Sequence, residues 1–351
     1  MSAANLALAA PPTPQLPRSE SDRWQEWDRF VEASPDSGFM QTSWWAEFRA
    51  MSGYRCFGVT IRDGAEILGG AMVMKRSFTD ECCFYLICDG PLLPSDPESA
   101  GEVFDAILAV LEKHRAAENA TVSHLRIEPR WQLLPRFASG LRQRSRARDR
   151  YAEPRDTIWI DLRAPMEEIL GQMKPKGRYN IRIAQRHGVR VHEDTSAAGL
   201  KHFLRIHAET FARHRIRGYT DTYFQTLLSM LQARRRISLF FAEHEGKPLA
   251  TALVVFFGRR ATYFFGGSLA EKRNVMAPYA LHFEIMRRAR DRGCEWYDLW
   301  GVAPEGVSGG NWQGISEFKR KFGGREVNLL PALDLVYDAP AYESFRQAAA
   351  A

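Results

Sequence analysis

The stretches Phe57–Lys75, reading FGVTIRDGAEILGGAMVMK, and Leu239–Phe256, reading LFFAEHEGKPLATALVVF, decide the fold. Each is an apolar strand, a short polar turn and a second apolar strand. Asp63-Gly64 carries the turn in the first stretch and Glu245-Gly246 in the second, where a glycine lets the chain reverse into a hairpin. The elements after each hairpin also match. Past the first, Val103, Phe104, Ile107, Leu108 and Leu111 recur at helical spacing toward His114, and Val122–Ile127 reads as a strand. Past the second, Leu281, Ile285, Met286 and Ala289 mark a helix over 279–292, Gly293 ends it, and Cys294–Val302 reads as a strand. One order of elements, met twice, predicts an α+β chain built from two copies of one module.

At 351 residues the chain is long enough for two cores. The first module is expected over 21–150 and the second over 151–321. Residues 1–20, rich in Ala and Pro, are expected to form a disordered leader. The segment YAEPRDTIWIDL at 151–162 opens the second module as a strand. A short helix over Pro165–Met173 starts with Glu167 and Glu168, whose charges suit a helix N-terminus. Pro175 interrupts it, a second helix runs over 177–187, Gly188 supplies its C-cap, and Val189–His192 reads as a strand.

Composition narrows the function. Apolar residues make up 45% and charged residues 26%, the balance of a globular protein. No apolar run is long enough to cross a membrane. Met1–Pro17 has no basic leading segment, which argues against a signal peptide and for the cytosol. Five cysteines without a CxxC pair argue against a disulfide framework or a zinc knuckle; Cys82, Cys83 and Cys88, set among Phe84, Tyr85, Leu86 and Ile87, read as packing residues. The nine histidines show no HxH or HExxH spacing and are assigned neither to metal nor to catalysis. Net charge is +6, and it is concentrated. Arg142, Arg144, Arg146, Arg148 and Arg150 alternate, which suits an exposed edge strand as well as a phosphate contact. Lys174, Lys176, Arg178, Arg182, Arg186 and Arg190 form a second run, and Arg178, Arg182 and Arg186 fall at i, i+4 and i+8 on one helical face. Like charges so spaced repel, so an anionic partner such as a nucleic-acid backbone or a pyrophosphate is the natural reason for them.

The stretch 169–189, ILGQMKPKGRYNIRIAQRHGV, resembles the signature of the FemABX family, the aminoacyl-tRNA-dependent transferases that build peptidoglycan cross-bridges. Other pieces agree in order: Met40–Phe48 with the family's first helix, then Asp89-Gly90-Pro91, Phe264–Ser268, Pro278–Leu281, Tyr297–Gly301 and Phe318–Gly324. The resemblance spans roughly 38 to 335. It implies two tandem GNAT-like (acyl-CoA N-acyltransferase-like) domains. With no heptad run here, no coiled-coil arm is expected. It also implies that the chain after about Lys321, over roughly 322–345, folds back to complete the first domain.

The resemblance places Phe318 and Lys319 at the reaction centre, where attack on an ester carbonyl creates an oxyanion that an ammonium can stabilise. It places Arg49 at the end of the first helix, against precursor phosphates, and Tyr223, Tyr263 and Phe265 along the precursor groove. One family member carries an arginine four residues before the tyrosine that matches Tyr223. Here that position is Tyr219, with Arg217 nearby, so either Arg217 substitutes or the head group is bound differently. Lys174, Lys176, Arg178, Arg182, Arg186 and Lys321 are the expected tRNA and phosphate contacts. The implied reaction needs no cofactor beyond aminoacyl-tRNA as co-substrate. Its acceptor is an amine of a UDP-linked or lipid-linked muropeptide, and a lipid-linked acceptor would bring the chain near a membrane surface. No stable protein partner is expected. Asp298 and Glu317 are candidate bases. Three alternatives stay open: a peptide metabolite or other polymer as acceptor, an acyl-CoA-dependent GNAT enzyme, and a non-catalytic RNA-binding module. The acyl-CoA reading lacks its R/Q-x-x-G-x-G/A loop, since neither Ser95–Glu102 nor Lys272–Tyr279 has the glycine pattern.

Overall fold

Tryptophans at one-turn spacing open the first unit. The computed structural model describes residues 18–35, 37–143, 154–214, 218–303 and 313–350. In helix α1 (Arg18–Ala33), Trp27 and Val31 are fully buried and define the inner face. Helix α1 starts at Arg18, inside the leader expected over 1–20; the rest of that stretch, 1–17, lies outside the described residues. Helix α2 (Ser43–Ala50) is capped by Thr42, whose hydroxyl accepts the Trp45 N–H at 3.3 Å. The expected hairpin follows as β1 (Arg55–Asp63) and β2 (Glu66–Ser77), antiparallel, with Gly64 at φ 55 in the turn. Then come β3 (Cys82–Cys88), α3 (Pro97–Ala116), β4 (Thr121–Glu128) and the short β5 (Arg142–Gln143). Val103, Phe104, Ile107 and Leu111 bury the inner face of α3 against Val73, Tyr85 and Leu125 of the sheet. Of the alternating arginines, Arg144, Arg146, Arg148 and Arg150 lie outside the described residues, as do Tyr151–Glu153 at the expected boundary.

The second unit is Asp156–Asn328. It runs β6 (Asp156–Asp161), α4 (Met166–Gln172), α5 (Pro175–Arg186), β7 (Arg190–Glu193), α6 (Ala197–His214), α7 (Asp221–Gln232), β8 (Ile237–His244), β9 (Lys247–Phe257) and β10 (Arg260–Ser268). After these come α8 (Ala277–Asp291), β11 (Trp296–Asp298), α9 (Gln313–Lys319) and β12 (Arg325–Asn328). Pro175 occupies the first turn of α5, where its missing N–H costs nothing, so it starts the second helix as well as ending the first. The seven strands lie in the order β12-β6-β11-β10-β9-β8-β7. The chain then returns to the first unit as β13 (Leu333–Val336) and α10 (Ala339–Ala350). The return starts at Leu329, later than the expected 322, because Arg325–Asn328 is occupied in pairing with β6.

The first sheet reads β1-β2-β3-β4-β13-β5, so β1-β2-β3-β4-β13 has the same layout as β8-β9-β10-β11-β6. In both, a hairpin leads to a strand that pairs in parallel with the strand after the helix, and an antiparallel strand closes the far side. That closing strand comes from the C-terminal segment in the first unit and from the start of the second unit in the other. Among the described residues the longest helix, α3, has 20 residues, and none is long and apolar enough to cross a membrane.

A buried ion pair ties the returning segment to its sheet. Arg126 of β4 and Asp334 of β13, both fully buried, meet through Nε–Oδ1 at 2.9 Å and a second guanidinium bond at 3.1 Å. The Tyr342 hydroxyl of α10 donates to the same carboxylate at 2.7 Å. Burial pushes the Asp334 carboxyl up, but its hydrogen bonds and the Arg126 charge outweigh that and hold it below its ordinary range. Asp334→Ala should therefore destabilise the protein by about 3–5 kcal/mol, because it strands a buried guanidinium. Denaturant unfolding checks this. A loss under about 1 kcal/mol would show that the pair does not hold the C-terminal segment.

Candidate active site

Two parallel strands part in the second unit. β10 pairs with β11 only from Arg260–Trp296 to Thr262–Asp298, although β10 runs on to Ser268. The chain beyond β11 stays with β6 instead, the Leu299 N–H reaching the Ile158 carbonyl at 2.9 Å and the Val302 N–H the Asp156 carbonyl at 2.8 Å. A wedge therefore opens between the outer half of β10 and residues 299–302. The corresponding pair in the first unit, β3 with β4, stays joined from Cys82–Thr121 to Cys88–Glu128. On the β10 side the pairing with β9 shifts by one residue at Phe264, a bulge. On the β11 side the strand expected to reach Val302 stops at Asp298. Its carboxylate accepts the Trp300 N–H at 2.9 Å, a local turn that competes with the ladder, and Trp300 sits at φ 57. Thr157 of β6 donates its hydroxyl to the same carboxylate oxygen at 2.5 Å.

Lys319, the last residue of α9, enters this wedge. It is only 4% exposed. Its Nζ donates to the Gly301 carbonyl at 2.8 Å and, more weakly, to the Trp300 carbonyl at 3.4 Å. It also lies 5.5 Å from the centre of the Tyr263 ring. Burial lowers its pKa to about 7, an effect partly opposed by the charge of Asp298. Phe318 points elsewhere and packs its ring against Tyr279, His282 and Phe322. Behind the lysine, His282 shares a 2.8 Å hydrogen bond between Nδ1 and the Tyr297 hydroxyl; burial, with some help from Lys319, lowers its pKa to about 3 and keeps it neutral. Of the two candidate bases, Asp298 is buried beside the wedge, whereas Glu317 is exposed and accepts from Gln313. Sequence reasoning set His282 aside. The available signal was a polar residue one place after Leu281 and three before Ile285, on the buried side of α8.

Close backbone approaches fix where Lys319 sits. A Cβ on Gly177 in α5 would stand 2.2 Å from the Lys321 carbonyl, which accepts the Lys174 N–H at 3.2 Å. Gly323, at φ 76, would meet the Gln172 carbonyl at 2.7 Å, and Gly324, at φ 84, the Trp159 carbonyl at 2.6 Å. The glycines of the signature helix and of the Gly-Gly pair thus let α5, α4 and β6 touch the backbone just after Lys319.

The other expected residues fall in three places. Lys174, Lys176, Arg182 and Arg186 are exposed and have no carboxylate within ion-pair range among the described residues; Lys176 lies 5.4 Å over the Tyr179 ring. Arg178 departs from the expected trio: its guanidinium turns back onto the carbonyls of Gly171 (3.1 Å) and Met173, capping the end of α4. Lys321 is half-buried. Tyr263 and Phe265, expected to line one groove, are separated by the bulge, since one extra residue sends them to different partners. Tyr263 meets His282 at 4.6 Å, whereas Phe265 joins Tyr219 (5.4 Å), Tyr223 (6.1 Å), Phe224 and His207. Tyr219 and Tyr223 stack at 4.1 Å. Arg217 lies outside the described residues. Arg49 belongs to the first unit, where its guanidinium lies 4.4 Å over Tyr54.

The parted strands, the bulge and the twice-used layout are those of a GNAT-like fold, built in tandem. Residues 175–320 match the family described as acetyltransferase (GNAT) domain. The chain is 32% identical over 155 residues to the UDP-N-acetylmuramoylpentapeptide-lysine N(6)-alanyltransferase of Weissella viridescens, a match that covers 44% of this chain and 46% of that one. It is 21% identical to the lipid II:glycine glycyltransferase of Staphylococcus haemolyticus across 92% of this chain and 94% of the other. The crystal structure of FemX superposes with a TM-score of 0.84 at 19% identity, covering 92% of this chain and 98% of that one. The chain thus resembles FemX and the lipid II:glycine glycyltransferases along most of its length, in sequence and in fold.

Gly177→Ala should disrupt the packing behind Lys319, because its Cβ would overlap a backbone carbonyl that cannot rotate away. A loss of about 1–3 kcal/mol is expected in denaturant unfolding, whereas Gly171→Ala, where a Cβ meets nothing within 4 Å, should be neutral or slightly stabilising. Equal stability of the two variants would contradict this packing.

Proposed function

We propose that the chain moves an amino acid from aminoacyl-tRNA to an amine of a peptidoglycan precursor, lipid-linked or UDP-linked. The observation that carries this reading is the buried Lys319 at the wedge of the module that matches the GNAT family, in a chain alike from end to end to transferases named for lipid II. An aminoacyl ester is already activated, so the amine can attack its carbonyl and expel the terminal ribose hydroxyl without further activation. Alignment of the two bound substrates supplies much of the rate. An ammonium has three donors, and the Gly301 and Trp300 carbonyls take two of those on Lys319. The third is left for the oxygen of the tetrahedral intermediate. The exposed cations of α5 suit the tRNA backbone, with Tyr179 beside Lys176 as a stacking surface.

The direct test incubates the protein with mixed charged tRNAs and a lipid-linked precursor and weighs the product. A mass gain of one amino-acid residue is expected. Gain from acetyl-CoA, and none from any charged tRNA, would overturn the reading in favour of an acyl-CoA enzyme. Lys319→Met should lower the single-turnover rate at saturating charged tRNA by about 100-fold, roughly 3 kcal/mol. An unchanged rate with weaker tRNA binding would make Lys319 a phosphate contact. Combined Lys176→Gln, Arg182→Gln and Arg186→Gln should weaken tRNA binding and flatten its salt dependence, by about 0.7–0.9 in log–log slope for each phosphate no longer neutralised. Binding at wild-type strength would assign these cations another task.

A further inference from the structure

The transfer needs a group that takes a proton from the attacking amine, and the charged side chains around the wedge are mostly committed. Asp298 holds Thr157 and the Trp300 N–H through one oxygen, Oδ1, and its charge acts on Lys319. His282 is bonded to Tyr297, and Glu317 is exposed. Tyr263 and Tyr297 are both pushed above their ordinary range by burial, so neither supplies a base at neutral pH. Lys319 differs. Its two carbonyl partners can be satisfied by the two N–H groups of a neutral amine as well as by an ammonium. The neutral form, held that way, turns its lone pair toward the position that the third ammonium donor would occupy.

We propose that Lys319 is the proton shuttle of the transfer, fixed by the turn that Asp298 imposes on Trp300 and Gly301. This rests on the aminoacyl-transfer reading above. The acceptor nitrogen, entering as the neutral amine after losing its extra proton to solvent, bonds to the ester carbonyl carbon and gives one proton to the Lys319 lone pair. The ammonium so formed lies beside the oxyanion as that charge develops. The carbon–oxygen bond to the ribose then breaks, and Lys319 returns the proton to the leaving ribose oxygen. One bond forms, one breaks, and the lysine ends as it began. Asp298 is a positioning residue here. It sets the carbonyls that orient Nζ, and its charge limits how far burial lowers the lysine, to about 7, where both forms are populated at neutral pH. The groups that act on Nζ are Asp298 from β11, Tyr263 from β10 and His282 from α8, and among them Asp298 is the anion.

The test is the pH dependence of the single-turnover rate with charged tRNA and a lipid-linked precursor, read beside a nitrogen-15 NMR titration of the lysine side chains in the intact wild-type protein. The Lys319 signal is assigned by its loss in Lys319→Met. The rate should rise through a midpoint near 7, well below the ~10.4 of a free lysine-type acceptor, and the Lys319 Nζ should titrate with the same midpoint. Asp298→Asn should move both midpoints lower by about one unit or more, since an attractive charge is gone. Lys319→Arg keeps charge and donors but cannot give up its proton, so it should fall about as far as Lys319→Met. A rate that drops as Nζ loses its proton, or a Lys319→Arg variant that keeps most of the activity, overturns the shuttle and leaves a fixed cation. A Lys319 Nζ that titrates like a free lysine also overturns it. If the wild type transfers nothing from any charged tRNA at any pH, the transfer reading itself has failed.

Discussion

A carboxylate buried at the end of a three-residue strand controls the geometry of this enzyme. Asp298 accepts from Thr157 on one side and from the Trp300 N–H two residues ahead. The second bond ends β11 and holds Trp300 at positive φ, a conformation that costs a non-glycine residue about 1–3 kcal/mol. That strain is sustained because the chain on either side is pinned to β6. Its result is a pair of backbone carbonyls turned away from the sheet and onto Lys319. Without the turn, β11 could continue beside β10, as β4 does beside β3, and no wedge would open.

Placing a lysine there opposes its own desolvation, which is why its ammonium form is disfavoured. The position is held from behind by backbone rather than by charge. Gly177, Gly323 and Gly324 let three elements touch the segment after Lys319, closer than any side chain would permit. The signature helix therefore has two faces with separate work. Its buried face, through Gly177, braces the segment just after Lys319, while Lys176, Arg182 and Arg186 on its exposed face suit an anionic partner.

Much of the architecture was legible because it depends on local rules. The two hairpins show in their apolar strands and glycine turns and the helices in their apolar spacing, whereas Lys319 was singled out only by the family resemblance of its Phe-Lys pair ahead of Gly-Gly. The features that were not legible depend on tertiary contacts. A bulge at Phe264 adds no composition signal, yet it sends Tyr263 to the lysine and Phe265 to the Tyr219–Tyr223 stack. The early end of β11 comes from a local bond between Asp298 and the Trp300 N–H, made beside Thr157 of β6, a neighbour in the sheet that is remote in sequence. Arg178 reads as one of three matched arginines until the carbonyls at the end of α4 claim it. His282 looked like one more core histidine, and its placement behind Lys319 appears only once α8 and β11 are packed together.

The central claim is that acyl transfer takes place in the wedge between β10 and the Trp300 turn, against Lys319. A crystal structure of the protein with a non-hydrolysable aminoacyl-RNA analogue, its ester replaced by an amide, tests this most directly. The account predicts the acyl carbonyl between Phe264 and Trp300, with its oxygen or the neighbouring ribose-side atom within about 3 Å of the Lys319 Nζ. An analogue bound with its acyl group elsewhere, and Lys319 still enclosed by the Gly301 and Trp300 carbonyls and untouched, would contradict it.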